Sequence, residues 1–243
     1  MAIRSNHVFG ATAGKMKEKK QKETVLILGA TGLVGSHCLE RFLTHEHFTR
    51  VVTLTRKPLD LRPGPPGHHN HVIDFERPES YHDKVAADVV VCALGTTIKK
   101  AGSRESFRRV DFYYPLVLAQ AAHAAGARHF MLVYAKGAAA NSRFFYNRVK
   151  GELEAAVMEI GYEQLSIFRP SLLKGDRREF RAGEEFGNFV AASLSFVIPQ
   201  QWQPTPVERL ADAILAAARI GAPGNKIYES GTILAGLNPE TDG

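Results

Sequence analysis

Apolar residues in this chain fall in short unbroken runs separated by stretches with helical spacing, and that alternation sets the expected architecture. Val25, Leu26, Ile27 and Leu28 form the first run. A glycine-rich turn follows, and then GLVGSHCLERFL (32–43), whose apolar positions recur at helical intervals. Further runs occur in VVTLT (51–55), HVIDF (71–75) and ADVVVCALG (87–95). A helical pattern then covers PLVLAQAAHAAGA (115–127), a strand HFMLVYA (129–135), a helix FYNRVKGELEAAVMEIG (145–161) and a strand QLSIFRP (164–170). Unbroken apolar runs suit parallel strands covered on both faces. Strands alternating with helices predict an α/β fold, a Rossmann-type doubly wound parallel sheet that places ligands at the carboxyl ends of its strands. Beyond Arg169 the pattern loosens into a charged loop and then the amphipathic PVERLADAILAAARI (206–220). The expected division is a basic flexible tail over 1–23, a nucleotide-binding core over 24–170, and a smaller substrate-side lobe of the same domain over 171–243.

Composition narrows the function. The 243 residues carry a net charge of +6, which invites a nucleic-acid reading. Yet residues 1–24 hold Arg4, Lys15, Lys17, Lys19, Lys20 and Lys22 against Glu18 and Glu23, so most of that excess sits in the tail. The rest of the chain lacks the basic footprint of a nucleic-acid binder. The tail has no apolar core of a signal peptide. FVAASLSFVIP (189–199) is too short for a membrane helix. A soluble, cytoplasmic protein without nucleic-acid or membrane partners is expected. Cys38 and Cys92 read as buried, inert thiols. His68, His69 and His71 lie in a proline- and glycine-rich stretch with no cysteine or acidic ligand beside them, so no metal site is expected.

The strand–glycine–helix unit at 25–43 is the first chemical signal. Gly29 permits a tight turn, Gly32 leaves the backbone open to a pyrophosphate, and Gly35 lets the helix pack close to the sheet. Phosphates would sit at the helix N-terminus, where unpaired N–H groups and the macrodipole favour an anion. Arg56 and Lys57 follow the second strand, where a dinucleotide fold places the adenosine ribose. No acidic residue stands there to take the 2′-hydroxyl, and a guanidinium suits a 2′-phosphate. Asp74 either accepts from the adenine amino group or caps a turn. Gly95, Thr96 and Thr97 either admit and bond the cofactor or are turn residues.

Tyr146 and Lys150 are the second signal. Four residues apart on a helix, they share a face. An ammonium near a phenol favours the phenolate, which suits a general acid/base for hydroxyl–carbonyl chemistry.

With GATGLVG (29–35), VTLTRK (52–57), VIDF (72–75), CALGTT (92–97), FRRVDFYY (107–114), FYNRVKGELE (145–154) and FRPSLLKGDR (168–177), the chain resembles the short-chain dehydrogenase/reductase superfamily. Within its atypical branch the resemblance is to the HIV Tat-interacting oxidoreductase-like proteins. The resemblance implies NADP(H) as cofactor and Tyr146 with Lys150 as the acid/base pair. It puts Asp111 near the cofactor and Pro170, Ser171 and Leu172 along the nicotinamide pocket. The implied cofactor set is completed by Thr31, Leu33, Val34, Phe75 and Leu94. One departure stands out: Tyr134, followed by Ala135, occupies the place where these enzymes carry a serine that holds the substrate oxygen. Ser142 could compensate or could cap the helix, and Thr96 and Thr97 are other substitutes. With a bulky phenol at 134, slow turnover and a gain from Tyr134→Ser are expected.

Two functions therefore stay open: an NADP(H)-dependent reductase or dehydrogenase acting on a small carbonyl or alcohol, and a module that binds NADPH and signals its occupancy to a partner. Lining by Phe186, Phe189 and Trp202 suggests an apolar pocket but does not name the substrate. A homodimer through the LAQAAHAAGA and GELEAAVMEI helices is also expected.

Overall fold

The computed structural model describes residues 22–61, 64–174 and 203–237. Seven strands, all parallel, form one sheet. They are β1 (Glu23–Leu28), β2 (Phe48–Thr55), β3 (His68–Val72), β4 (Val89–Cys92), β5 (His129–Val133), β6 (Gln164–Arg169) and, late in the chain, Gly224–Glu229. Between the last two lies a small two-stranded pair, β7 (Leu173–Lys174) with β8 (Thr205–Pro206), which makes the late strand β9. The sheet order is β3-β2-β1-β4-β5-β6-β9. Helices α1 (Leu33–Thr44), α2 (Ile98–Ala101), α3 (Arg104–Arg108), α4 (Tyr114–Ala124), α5 (Phe145–Met158), α6 (Val207–Ile220) and α7 (Ser230–Ala235) complete the fold.

Strand residues alternate between faces, and both faces are covered. Val25, Ile27, Val91, Met131 and Phe168 pack against Cys38 and Phe42 of α1 and Leu210 and Ile214 of α6. On the other side Leu26, Leu28, Val90, Phe130, Leu132 and Ile167 pack against Leu118 of α4 and Leu153 and Val157 of α5. Burial pushes the Cys38 and Cys92 thiols up to about 12, so both stay protonated and unreactive at neutral pH.

The structure departs from the sequence-based expectation at three places. β3 runs from His68 to Val72 rather than over 71–75, so His68 and His69 join His71 in an edge strand, and Ile73, Asp74 and Phe75 lie past its end. Gly67, at φ +79°, makes the turn, and Thr53 of β2 bonds His68 Nε2 at 3.0 Å and Asn70 at 2.8 Å, which anchors the early register. The described part of the expected substrate-side lobe is built into the core. α6 packs on the same face as α1, linked by Arg41 to Asp212 at 2.6 Å, and β9 is the seventh strand, paired along β6. Finally, α3 and α4 are joined by a π-helical turn, Arg109–Tyr113, in a stretch to which the sequence analysis assigns no element. The tail, Phe186, Phe189, Trp202 and the 189–199 stretch lie outside the described residues. Among the described residues no helix is long and apolar enough to cross a membrane.

Candidate active site

The strand order reverses between β1 and β4, and in such sheets ligands bind at the carboxyl ends beside that point. Gly29 and Ala93–Gly95 meet there. Gly29 has φ +86°, and a Cβ on it would lie 2.6 Å from the Ala93 carbonyl oxygen. A Cβ on Gly35 would lie 2.1 Å from the Gly29 oxygen, so α1 touches the turn directly. Gly32 caps α1 with no side-chain hydrogen bond, and no acidic residue occupies the first turn. Thr31 and Gly32 are exposed, Leu33 is half-buried and Val34 is buried. Open amide donors at the end of a twelve-residue helix, with glycine where a side chain would intrude, are a fit cradle for a pyrophosphate.

Arg56 and Lys57 emerge exposed directly after β2, beside that cradle in the sheet order. Asp74 lies two residues past the end of β3 and behaves as a turn cap. Its Oδ1 accepts from the Glu76 amide at 3.0 Å, and Oδ2 lies 3.6 Å from Arg77. Phe75 turns into the core, with its ring 5.5 Å from Tyr114.

A buried ion pair lies beneath Gly95. Asp111, in the π-helical turn, is fully buried. Its Oδ2 accepts from the Thr96 amide at 2.8 Å, and its Oδ1 lies 2.8 Å from Lys150 Nζ. The second contact is an ion pair rather than a well-angled hydrogen bond. A Cβ on Gly95 would stand 3.4 Å from Asp111 Oδ1 and 3.7 Å from Lys150 Nζ, so the pair lies directly under this turn. Leu94 packs on the α4/α5-side core, and Thr97 caps α2 by accepting from the Lys100 amide at 3.2 Å. Burial pushes the Asp111 carboxyl upward, and the Lys150 ammonium and the Thr96 amide oppose that push.

Tyr134 completes the group from the end of β5. Its ring lies 3.9 Å from Lys150 Nζ, close enough for a cation–π contact, and its hydroxyl donates to the Asp111 carbonyl oxygen at 3.0 Å. The residue is buried, and burial drives its phenol well above the ordinary range. That corrects the expectation of a phenol facing the substrate: the hydroxyl is committed to a backbone carbonyl. Tyr146, half-buried one turn before Lys150, has its ring 5.7 Å from Nζ and 5.4 Å from the Phe107 ring. Ser142 precedes α5, which starts at Phe145, and its Oγ accepts from the Phe144 amide at 3.2 Å. The hydroxyl thus serves a local turn.

Pro170 is buried, and its carbonyl accepts from the Lys136 amide at 3.2 Å. Ser171 bonds the Gln203 carbonyl and, at 3.1 Å, the Thr205 hydroxyl, while Leu172 is exposed. Two features of the site escaped the sequence reading. Glu154, one turn beyond Lys150, pairs with Arg169, which also reaches Glu229 at 3.3 Å, so α5, β6 and β9 are pinned together. The i, i+4, i+8 spacing of Tyr146, Lys150 and Glu154 was the available signal. Gly151 lets the β5–α5 loop lie on the helix: a Cβ there would stand 2.2 Å from the Ala139 carbonyl carbon and the Ala140 nitrogen.

Comparison with known proteins bears on the family and the fold. A family model described as NAD(P)H-binding matches residues 29–173. Protein HTATIP2 of Rattus norvegicus is 36% identical over 239 residues, covering 94% of this chain and 96% of the relative. Protein fmp52, mitochondrial, of Emericella nidulans is 32% identical over 71% of this chain and 76% of its own length. Among solved structures, WbmH of Bordetella bronchiseptica, in complex with NAD+, superposes with a TM-score of 0.67 at 16% identity, covering 87% of this chain and 77% of that one. UDP-glucose 4-epimerase of Thermotoga maritima gives 0.65 at 14% identity, over 86% and 77%. At such identities these structures establish the fold alone.

Proposed function

The chain belongs to the NAD(P)H-binding family, in the HIV Tat-interacting oxidoreductase-like branch of the short-chain dehydrogenase/reductase superfamily, and we propose that it is an NADP(H)-linked oxidoreductase of a carbonyl or alcohol substrate. The observation that carries this reading is the Lys150–Asp111 pair under Gly95, with Tyr146 one turn away on the same helix. In this reading the amides at the start of α1 hold the pyrophosphate. Arg56, with Lys57 beside it, takes a 2′-phosphate, for which a guanidinium is geometrically suited. Lys150, anchored by Asp111, presents its remaining donors toward the ribose. The hydride at the substrate carbon would be supplied or accepted by a nicotinamide held there. Tyr146 transfers the proton at the substrate oxygen. The buried aromatic wall of Phe107 fixes the Tyr146 ring, and the Arg169 network fixes the helix that carries it.

A second reading, an NADPH-responsive binding module without turnover, is favoured by Tyr134. With a carboxylate 2.8 Å from Nζ, Lys150 acts on Tyr146 as one end of a dipole rather than as a free cation. No side-chain hydroxyl from position 134 is left to orient a substrate oxygen. The test is whether NADPH copurifies, followed by an NADPH-oxidation screen over aldehydes and ketones. NADPH retention with turnover supports the enzyme, and retention without turnover supports the module. A cytoplasmic location belongs to this proposal, whereas the fungal relatives are named as mitochondrial. Cell fractionation decides between them.

A further inference from the structure

Strands β4, β5 and β6 are neighbours, so the segments that follow them (93–104, 134–147 and 170–174) form one wall of the mouth above Tyr146. None of the three contains an aspartate or glutamate. Each sets a cation beside a large exposed apolar residue. Lys99 adjoins Ile98, which is 37% exposed; Arg143 adjoins Phe144, 75% exposed; and Lys174 lies two residues from Leu172, 54% exposed. The segments converge physically. α3 brings Phe107 within 5.9 Å of the Phe145 ring and 5.4 Å of Tyr146, and Arg104 lies 5.3 Å over Phe145. The Lys136 amide donates to the Pro170 carbonyl, which joins the second segment to the third. The acids next to this wall are paired: Asp111 is buried against Lys150, Glu105 of α3 lies 3.2 Å from Arg109, and Glu152 of α5 lies 2.5 Å from Arg108.

Exposed apolar side chains clustered at a mouth favour an apolar ligand surface, and a field of one sign at such a mouth raises the local concentration of the opposite charge. The cofactor phosphates do not account for the pattern, because the glycine turn and Arg56 follow β1 and β2, on the other side of the strand-order reversal. We propose that the site takes an amphipathic anion: a carbonyl compound whose apolar chain lies on Ile98, Phe144 and Leu172, with a carboxylate or phosphate head held by Lys99, Arg143 and Lys174. This deepens the oxidoreductase reading and rests on it for the chemistry, but not for the binding.

The test uses NADPH-loaded protein and two probes of equal chain length, decanoate and decanol, titrated calorimetrically below their aggregation limits at low salt. Decanoate is expected to bind at least about tenfold more tightly, with the difference shrinking steeply as salt screens the charges. Lys99→Glu combined with Arg143→Glu is expected to abolish the decanoate preference while leaving decanol and NADPH binding as they were. Phe144→Ser is expected to weaken both probes. Equal affinities, no binding of either probe, or an unchanged preference in the charge-reversed variant would overturn the proposal. Non-saturating uptake of decanoate with cosedimentation on anionic vesicles would overturn it in favour of a membrane-facing rim. Nonanal and its ω-carboxylate then separate the two readings. If decanoate binds as expected and neither aldehyde is reduced, the oxidoreductase reading fails and the amphipathic-anion site stands. If both aldehydes are reduced equally well, the reverse holds.

Discussion

The hydroxyl of Tyr134 donates to the carbonyl oxygen of Asp111, and the reason lies four residues further along the chain, at Pro115. Proline has no N–H to give to the carbonyl four positions back, and its ring crowds that carbonyl. The chain answers with a π-helical turn over Arg109–Tyr113, which swings the Asp111 carboxylate inward to Lys150, and the phenol of Tyr134 meets the same residue's carbonyl. π-Helical turns recur at functional sites.

Tyr134 is therefore expected to be a stability residue. Tyr134→Phe leaves a buried carbonyl without this donor and should cost about 1–3 kcal/mol. Tyr134→Ser adds a cavity and removes the ring beneath Lys150, so roughly 3–5 kcal/mol is expected. Urea unfolding measures both. The turnover gain expected from Tyr134→Ser on sequence grounds would therefore come with a loss of stability, and a serine variant as stable as the parent would contradict this.

The first βα unit was legible because everything that makes it is local: an apolar run, glycines at fixed offsets and a helical period. The placing of Tyr146 and Lys150 one turn apart on α5 was legible for the same reason. β9 was not, because an edge strand with only Tyr228 buried carries no apolar alternation and draws its register from β6. The start of β3 depends on the Thr53 hydroxyl meeting His68 and Asn70, a contact between strands. The inward turn of Tyr134 depends on a proline nineteen positions earlier in the chain. Such long-range reasons leave no periodic trace.

His129 predicts acid lability. Burial holds its imidazole down to about 4, with Nε2 2.9 Å from the Ser166 hydroxyl and Arg128 adding repulsion. The unfolded chain takes up a proton near 6.5 and the folded one does not, so stability is complete above that pH and falls as pH drops toward 4. The loss over that window is at most about 3 kcal/mol. His129→Gln should flatten the stability curve between pH 6.5 and pH 4. An unchanged slope in denaturant melts would count against the assignment.

Gly151→Ala should destabilise despite alanine's higher helix propensity. The added Cβ meets backbone atoms of Ala139 and Ala140 at 2.2 Å, and overpacking of this kind costs about 1–3 kcal/mol against the ~1 kcal/mol that propensity offers. Thermal denaturation reads the sign directly, and a raised Tm would show that the loop does not lie on the helix.

Arg56 should set cofactor choice. NADP(H) is expected to bind more tightly than NAD(H), and Arg56→Ala should narrow the difference by roughly 1–3 kcal/mol, the scale of a charge-assisted hydrogen bond. Calorimetry with both reduced cofactors decides it, and equal affinities in the parent protein would refute the role.

The most direct test of the central claim is the rate of NADPH oxidation by the Tyr146→Phe variant, measured beside its NADPH affinity with a carbonyl that the parent reduces. Removing the proton donor while keeping the ring against Phe107 should lower the rate by about 100-fold or more, the scale of general acid catalysis. NADPH affinity should change little, because the phosphates are proposed to sit at α1 and after β2, away from Tyr146. An undiminished rate in the variant, or a parent that binds NADPH firmly and reduces nothing across a broad carbonyl panel, would contradict the account.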